Sequence, residues 1–417
     1  MAGEEAVKRR RFDEAALREA LKKPSPYGPD VDLSRYDILS PRRLEPAEVL
    51  SERRVADATR RLGFTPELMS KVGYVQVNEA YLSSALVESL RRQGVVVMPT
   101  SEALKKLGIA KELAWSLISP DTDKYVATTY LYGKEQGYFI YVPPGVRVRT
   151  PIYTCLLITR GMTAQLLHNI IYVGDGAEAH IVTGCGISGL HAEALHIGVS
   201  EYFIGRRAKL TFAMIHAWSR GAVVRPRTAV TVDEGGRFVS YYMIYSGVHS
   251  LQTYPRVSLG RGASTSLYTV ISGEGRGIYD VGGAAELAAS NTSAEIVSRN
   301  LARGESEVVA RARLVGLAGP SRGHIECMGL ILGRKSRVVS VPELISRSPD
   351  STLTHEAAIG KISEDQLTYL MSKGFSEEEA RSLIIRGFLS VEVPELPPQV
   401  KLSVDRIAEL ISSKGHG

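Results

Sequence analysis

The stretch Ser264-Thr-Ser-Leu-Tyr-Thr-Val-Ile271 decides the fold class, because β-branched and aromatic residues crowd a run too short for a buried helix. Ala208-Lys-Leu-Thr-Phe-Ala-Met-Ile215 and Arg227-Thr-Ala-Val-Thr-Val232 repeat the pattern. From about residue 140 onward no helical stretch of ten or more residues separates such runs, which excludes a doubly wound parallel sheet. About two hundred residues of strand must therefore close on themselves as a sandwich, a barrel or a solenoid. Strand starts near 264, 285 and 306 recur at a spacing suited to one β-helix coil, and this favours the solenoid.

Working outward, glycine marks the limits of that region. Of 39 glycines, 28 fall between Gly133 and Gly333, and both flanks are poor in glycine. On the N-terminal side, Phe12, Ala15, Ala16 and Ala20 recur at helical spacing, as do Leu82, Leu86 and Leu90. Tyr27-Gly28-Pro29-Asp30 and Ser40-Pro41 are breaks, and a short strand is expected over Val95 to Met98. On the C-terminal side, Ser363-Glu-Asp-Gln366 and Ser376-Glu-Glu-Glu379 both have capping-box form, and Gly374 and Gly387 are placed to stop the helices they open. The helical hairpin so defined sets Leu367, Leu370 and Met371 against Ala380, Leu383, Ile384 and Phe388. After Pro394-Glu-Leu-Pro-Pro398, a last amphipathic helix is expected over Ser403 to Ser412. The reading is α+β in three parts: an N-terminal region over 1–125, a strand core over 126–345 and a C-terminal helical domain over 346–417.

Composition narrows the function. At 417 residues the chain implies roughly two to three structural units. Hydrophobic residues at 44% and charged residues at 23% suit neither a disordered tail nor a membrane bundle. With no apolar run near the length of a bilayer span, and a charged start at MAGEEAVKRRRF, a cytoplasmic protein is expected. A net charge of +6 is mild for a nucleic-acid binder, and the one compact basic run, Lys8 to Arg11, reads as a solvated helix face. The three cysteines, Cys155, Cys185 and Cys327, form no CxxC pair, so neither a disulfide framework nor a structural zinc site is indicated.

Familiar catalytic signatures are missing. Gly329-Leu-Ile-Leu-Gly333-Arg-Lys-Ser336 has the letters of a phosphate loop at the wrong spacing, and Gly273-Glu-Gly275-Arg-Gly277 has no following helix to bind a pyrophosphate. Neither GxSxG nor HExxH occurs, and no pair of carboxylates stands out as a glycosidase would need. What remains is a sparse set of metal ligands. In His324-Ile-Glu-Cys327, strand alternation puts His324 and Glu326 on one face and Cys327 on the other. His355 and Glu356 adjoin just before the helical hairpin, while Cys185 follows Thr-Gly and His191 sits in Leu-His-Ala-Glu. Taken singly, each of these residues reads as structural.

Taken together they carry a resemblance. Leu353-Thr-His-Glu-Ala-Ala-Ile-Gly-Lys-Ile-Ser-Glu-Asp-Gln-Leu-Thr-Tyr-Leu-Met-Ser-Lys-Gly374, continuing through Glu378-Glu-Ala to Ile385-Arg-Gly-Phe388, closely resembles the C-terminal signature of the SufB/SufD family of iron–sulfur cluster assembly proteins. Val142-Pro-Pro-Gly-Val-Arg-Val148, Gly184-Cys185, Leu190-His191-Ala192 and Glu326-Cys327 extend the likeness over roughly residues 125 to 390. It implies a right-handed parallel β-helix between helical regions, with a transient iron–sulfur cluster, expected as [4Fe–4S], as cargo. A flavin is left open.

By the same resemblance, Cys327 matches the cysteine on which SufB builds a nascent cluster and Glu356 a carboxylate required beside it. His355 matches the histidine that SufD contributes across the dimer interface, and Cys185 a cysteine linked to sulfur acceptance. The partners implied are a SufC-like ABC ATPase docked on the C-terminal helices through Leu367, Leu370, Met371, Leu383, Ile384 and Phe388, a second copy or a paralogous SufB/SufD chain, a sulfur donor and recipient apoproteins. No nucleic acid or membrane is expected. Energy would come from the ATPase, so the chain is read as an assembly scaffold and not an enzyme. It departs from the heterodimer pattern by carrying the SufB-type cysteine and glutamate together with the SufD-type histidine, which suits a homodimer. Thr354 replaces a common acidic residue, and other SufB cysteines are absent. The alternative is a SufD-like subunit that holds no cluster.

Overall fold

The computed structural model describes residues 12–38, 53–62, 72–78, 80–83, 90–189 and 192–391, with Lys401 and Glu409. The basic run Lys8 to Arg11, the Ser40-Pro41 break, Leu86, His191 and, Glu409 apart, the helix expected over 403–412 lie outside the described residues. The N-terminal region supplies β1 (Asp37–Ile38), β2 (Val72–Val77), β3 (Ala80–Ser83) and β4 (Val96–Pro99), and β5 (Tyr138–Val142) opens the strand core. Leu82 thus belongs to a strand and not to a helical repeat. The stack continues through β6 (Ile152–Ile158), β7 (Thr163–Val173), β8 (Glu178–Ile187), β9 (Glu193–Ile204) and β10 (Lys209–Ala217). Its middle is β11 (Gly221–Val224), β12 (Arg227–Val232), β13 (Arg237–Ile244), β14 (Ser250–Thr253) and β15 (Arg256–Leu259). It ends with β16 (Ser264–Gly273), β17 (Ile278–Leu287), β18 (Thr292–Ala302), β19 (Glu307–Gly316), β20 (Ser321–Ile331), β21 (Arg337–Ser346) and β22 (Ser351–Gly360).

These strands wind as a parallel β-helix of about eight turns, as the sequence reading expects. One sheet runs β2-β6-β8-β10-β13-β16-β18-β20-β22, with β3 antiparallel at its start. The other contains β5, β7, β9, β12, β15, β17, β19 and β21, again with an antiparallel strand, β4, at its start. Ser264 pairs with Ser293 and Thr292 with Ser321, so one coil advances 29 residues and contributes a strand to each sheet. The coil length read from strand starts at 264, 285 and 306 is therefore corrected. Ala285 lies inside β17 on the opposite sheet, and Ser306 in the turn before β19. Strands such as β9 are buried on both faces, so alternation does not mark their ends. The stack also runs past the expected boundary at 345, to Gly360.

The same turn recurs at one corner of six successive coils. Gly145, Gly176, Arg207, Gly235, Gly262 and Asn291 all have φ between 55° and 73°, and each donates its amide to the next coil. Gly176 donates to Arg206, Arg207 to Glu234, Gly235 to Arg261 and Gly262 to Ser290, at 2.8–2.9 Å. Glycine suits this corner because its φ is positive.

The core fills the space between the sheets with residues such as Leu156, Ile181, Leu210, Phe238, Leu267, Ile296 and Ile325. Each contributes roughly 1.5–3 kcal/mol by leaving water. A second cluster covers the outer face of the β2-to-β22 sheet, where Val55, Ala58 and Leu62 pack at one end and Leu367, Ala380, Ile385 and Leu389 at the other. The C-terminal helices Glu364–Ser372 and Glu377–Leu389 thereby fold back on the solenoid. The Ser376 capping box forms, and Gly374 has φ +97°. Two details differ from expectation. Ser363 caps without a side-chain hydrogen bond, and Gly387 sits inside its helix, which continues to Leu389. Burial of Leu389 in the second cluster outweighs the cost of about 1 kcal/mol for a helical glycine.

Candidate functional site

The candidate ligands gather on the last two strands of one sheet. In the β20–β22 ladder Ile325 pairs with His355, Glu326 with Glu356 and Cys327 with Ala357. Paired residues of a parallel ladder project to the same side, and neighbours along a strand to opposite sides. Cys327 faces the interior, 2% exposed and packed in the core with Ile325. His355 takes an inward register position beside it and remains exposed because β22 ends the sheet. Glu356 points the other way. One chain therefore brings Cys327 and His355 to one face but not Glu356, and the three-residue grouping expected from the resemblance is split across the sheet.

The outer face holds a different group. His324, Glu326 and Glu356 bring their ligand atoms within 4.8 Å of one another. Arg299 on β18 forms an ion pair with Glu326 Oε1. His324 Nδ1 lies 2.8 Å from Thr354 Oγ1, and the Thr354 hydroxyl donates in turn to the Gly323 carbonyl at 3.4 Å. Alternation alone puts His324 and Glu326 on one face, but their grouping with Glu356 is not legible in the sequence, because it requires the 30-residue step from Ser321 to Ser351.

Cys185 is elsewhere. It lies on β8, opposite Leu156 on β6 and His216 on β10. Five strand steps separate β8 from β20, which is about 24 Å at the usual strand spacing. Burial pushes its thiol well up, and the nearby Cys155 adds to this, so Cys185 is held protonated. It lines an internal cavity of about 40 Å³ with His196, Ser200, His216, Tyr242 and Thr253. Burial pushes His196 down to about 3 and His216 well down, so both imidazoles are neutral. Trp218 Nε1 donates to His216 Nδ1 at 2.7 Å.

Of the six residues assigned to a partner, Leu367 is buried, and Leu370, Ile384 and Phe388 are half-buried against the same cluster. Only Met371 and Leu383 are exposed, at 47% and 37%. Tyr369 and Phe375 lie exposed on the same hairpin and carry no assignment from the sequence.

The chain is similar to known proteins over most of its length. Residues 156–388 match the SufBD core domain of the SUF system for FeS cluster assembly. The chain is 34% identical over 413 residues to an iron–sulfur cluster assembly SufBD family protein of Methanothermobacter thermautotrophicus, covering 96% of this chain and all of that protein. Identity to a SufBD family protein of Archaeoglobus fulgidus is 38% over 324 residues, 76% of this chain and 85% of that one. Identity to the iron–sulfur cluster assembly protein SufB of Bacillus subtilis is 30% over 357 residues, 82% of this chain and 76% of that one.

Proposed function

This chain belongs to the SufBD family of iron–sulfur cluster assembly proteins, and from that membership we propose that it is the scaffold on which a nascent cluster is built and from which it passes to apoproteins. The observation that carries the reading is Cys327 beside His355 at the terminal strands, with Glu356 next along β22. A thiolate takes the soft iron–sulfide unit, and imidazole and carboxylate accept ferrous iron. With few thiolates around it, a cluster of the [4Fe–4S] type is held loosely enough to leave. Cys185 is the sulfur acceptor in this reading, and its burial means that sulfur delivery requires the surrounding coil to open.

Two partners belong to the same proposal. β21 and β22 end their sheets, and Val341, Leu344 and Ile359 on them are 39–42% exposed, so the terminal coil suits pairing with a second copy. That copy supplies a second Cys327, His355 and Glu356. The exposed Met371 and Leu383 suit a SufC-like ABC ATPase, which provides the nucleotide hydrolysis for which this sequence has no phosphate loop. No helix among the described residues is long and apolar enough to cross a membrane, in keeping with work in the cytoplasm.

The test is anaerobic reconstitution with ferrous iron and sulfide, read by thiolate-to-iron absorbance together with light-scattering mass. The expected result is a cluster on a dimer, lost in Cys327→Ser with the fold intact. A folded wild-type dimer that takes up no cluster would replace this reading with the SufD-like one.

A further inference from the structure

We propose that His324, Glu326 and Glu356 form a divalent transition-metal site on the outer face of the terminal coil, distinct from the inward-facing Cys327. Calling its ion ferrous iron, and its role the staging of iron before cluster assembly, rests on the scaffold reading above.

The first support is geometric. The three ligand atoms lie within 4.8 Å of one another. Metal bonds of about 2.1 Å place opposite ligands about 4.2 Å apart, so a small rotamer change closes the site. The pairing Glu326↔Glu356 is a ladder register, held by backbone hydrogen bonds and not by loops.

The second support is the orientation of His324. Thr354 Oγ1 lies 2.8 Å from His324 Nδ1 and also reaches the Gly323 carbonyl at 3.4 Å, so it engages Nδ1 of the ring. With Nδ1 so engaged, Nε2 is the nitrogen that can meet a metal. A fixed partner on the other ring nitrogen is the usual way a metal-binding histidine is oriented. Thr354 is thus a positioning residue.

The third support is charge. Two carboxylates sit side by side on neighbouring strands, an arrangement that is unfavourable unless a cation lies between them. Arg299 pairs with Glu326 through Oε1 and offsets one of the two charges. The remaining carboxylate, one imidazole and oxygen donors suit Fe²⁺ or Mn²⁺ better than a soft thiolate-seeking ion. His324 and Thr354 also line an open cleft of about 520 Å³, which gives a hydrated ion access.

The experiment uses the full chain, stripped of metal and kept anaerobic, titrated with Mn²⁺ and followed by the electron paramagnetic resonance of the free ion, with Fe²⁺ as competitor. One saturable Mn²⁺ per chain is expected. His324→Ala and Glu326→Gln should each weaken it at least tenfold, with unchanged melting temperature, and Thr354→Val about tenfold. Cys327→Ser should leave it unchanged. No saturable site, wild-type affinity in both His324→Ala and Glu326→Gln, or loss of binding in Cys327→Ser would each overturn the proposal. Cluster reconstitution in parallel separates the two readings. A chain that builds a cluster without this metal site overturns the inference alone, whereas one that binds Mn²⁺ here but builds no cluster supports the inference and overturns the scaffold reading.

Discussion

His168 on β7 and Glu201 on β9 form a buried ion pair, Nε2 to Oε2 at 2.8 Å. Glu201 also accepts the backbone amides of Trp115, Leu117 and Ile118, so this carboxylate fastens the N-terminal region to the solenoid. Burial alone would push His168 down, but its hydrogen bonds to Glu135 and Glu201 and their charges push it up to about 9. A folded-state value above the ordinary 6.5 means that the stabilisation is complete below about pH 6.5 and is lost as pH rises through 9. The melting temperature should therefore fall between pH 6.5 and 9.5. In His168→Gln that part of the fall should vanish, and an unchanged pH profile in the variant would remove His168 as its source.

The corner turn yields a second prediction. Arg207 holds φ +55° where the equivalent positions in neighbouring coils are Gly176 and Gly235. A side chain in the left-handed region costs roughly 1–2 kcal/mol, and glycine's extra freedom in the unfolded chain returns about half of that. Arg207→Gly should be stabilising by up to about 1 kcal/mol. Gly304→Ala should do the opposite, because φ is +63° and a Cβ would meet the Gly275 carbonyl oxygen at 3.0 Å. Urea midpoints of the two variants should move in opposite directions.

That corner also marks what the sequence discloses. Strand composition around 208–271 and the glycine-rich span suffice for a solenoid, since both follow from local propensity. Coil length does not follow from strand starts, because strands buried on both faces have no polar edge to mark them. It is written instead in Gly145, Gly176, Gly235 and Gly262, with Arg207 and Asn291 standing where glycine is replaced. The Ser376 box is legible because it is closed within four residues. Gly387 misleads because packing of Leu389 extends its helix. At the site, alternation separates Cys327 from His324 and Glu326, but the approach of Glu356 to Glu326 depends on a 30-residue register that only the fold supplies.

If the terminal coil pairs with a second copy, its exposed apolar residues are the handle. Leu344→Asp and Ile359→Asp place charges on β21 and β22, at positions 39% and 42% exposed. Because neither side chain is in the core, the melting temperature should stay within a few degrees of wild type. Light scattering should report a monomer for the double variant. A dimer that survives both charges would move the self-association surface away from the terminal coil.

If the ATPase docks on the helical hairpin as proposed, folding and partner binding are separated within five residues. Leu367 is 3% exposed and sits with Ala380, Ile385 and Leu389 against the outer sheet, so Leu367→Ala should cost about 2–5 kcal/mol locally and melt the hairpin. Met371, one turn on, is 47% exposed, and Met371→Asp should leave stability within about 0.5 kcal/mol of wild type. Both should lower co-purification with a SufC-like ATPase, but for different reasons: Leu367→Ala with loss of helical circular dichroism, Met371→Asp without it. Undiminished binding by Met371→Asp together with Leu383→Asp would show that the ATPase does not use this exposed face, since no buried residue of the hairpin can reach a partner while the hairpin stays folded.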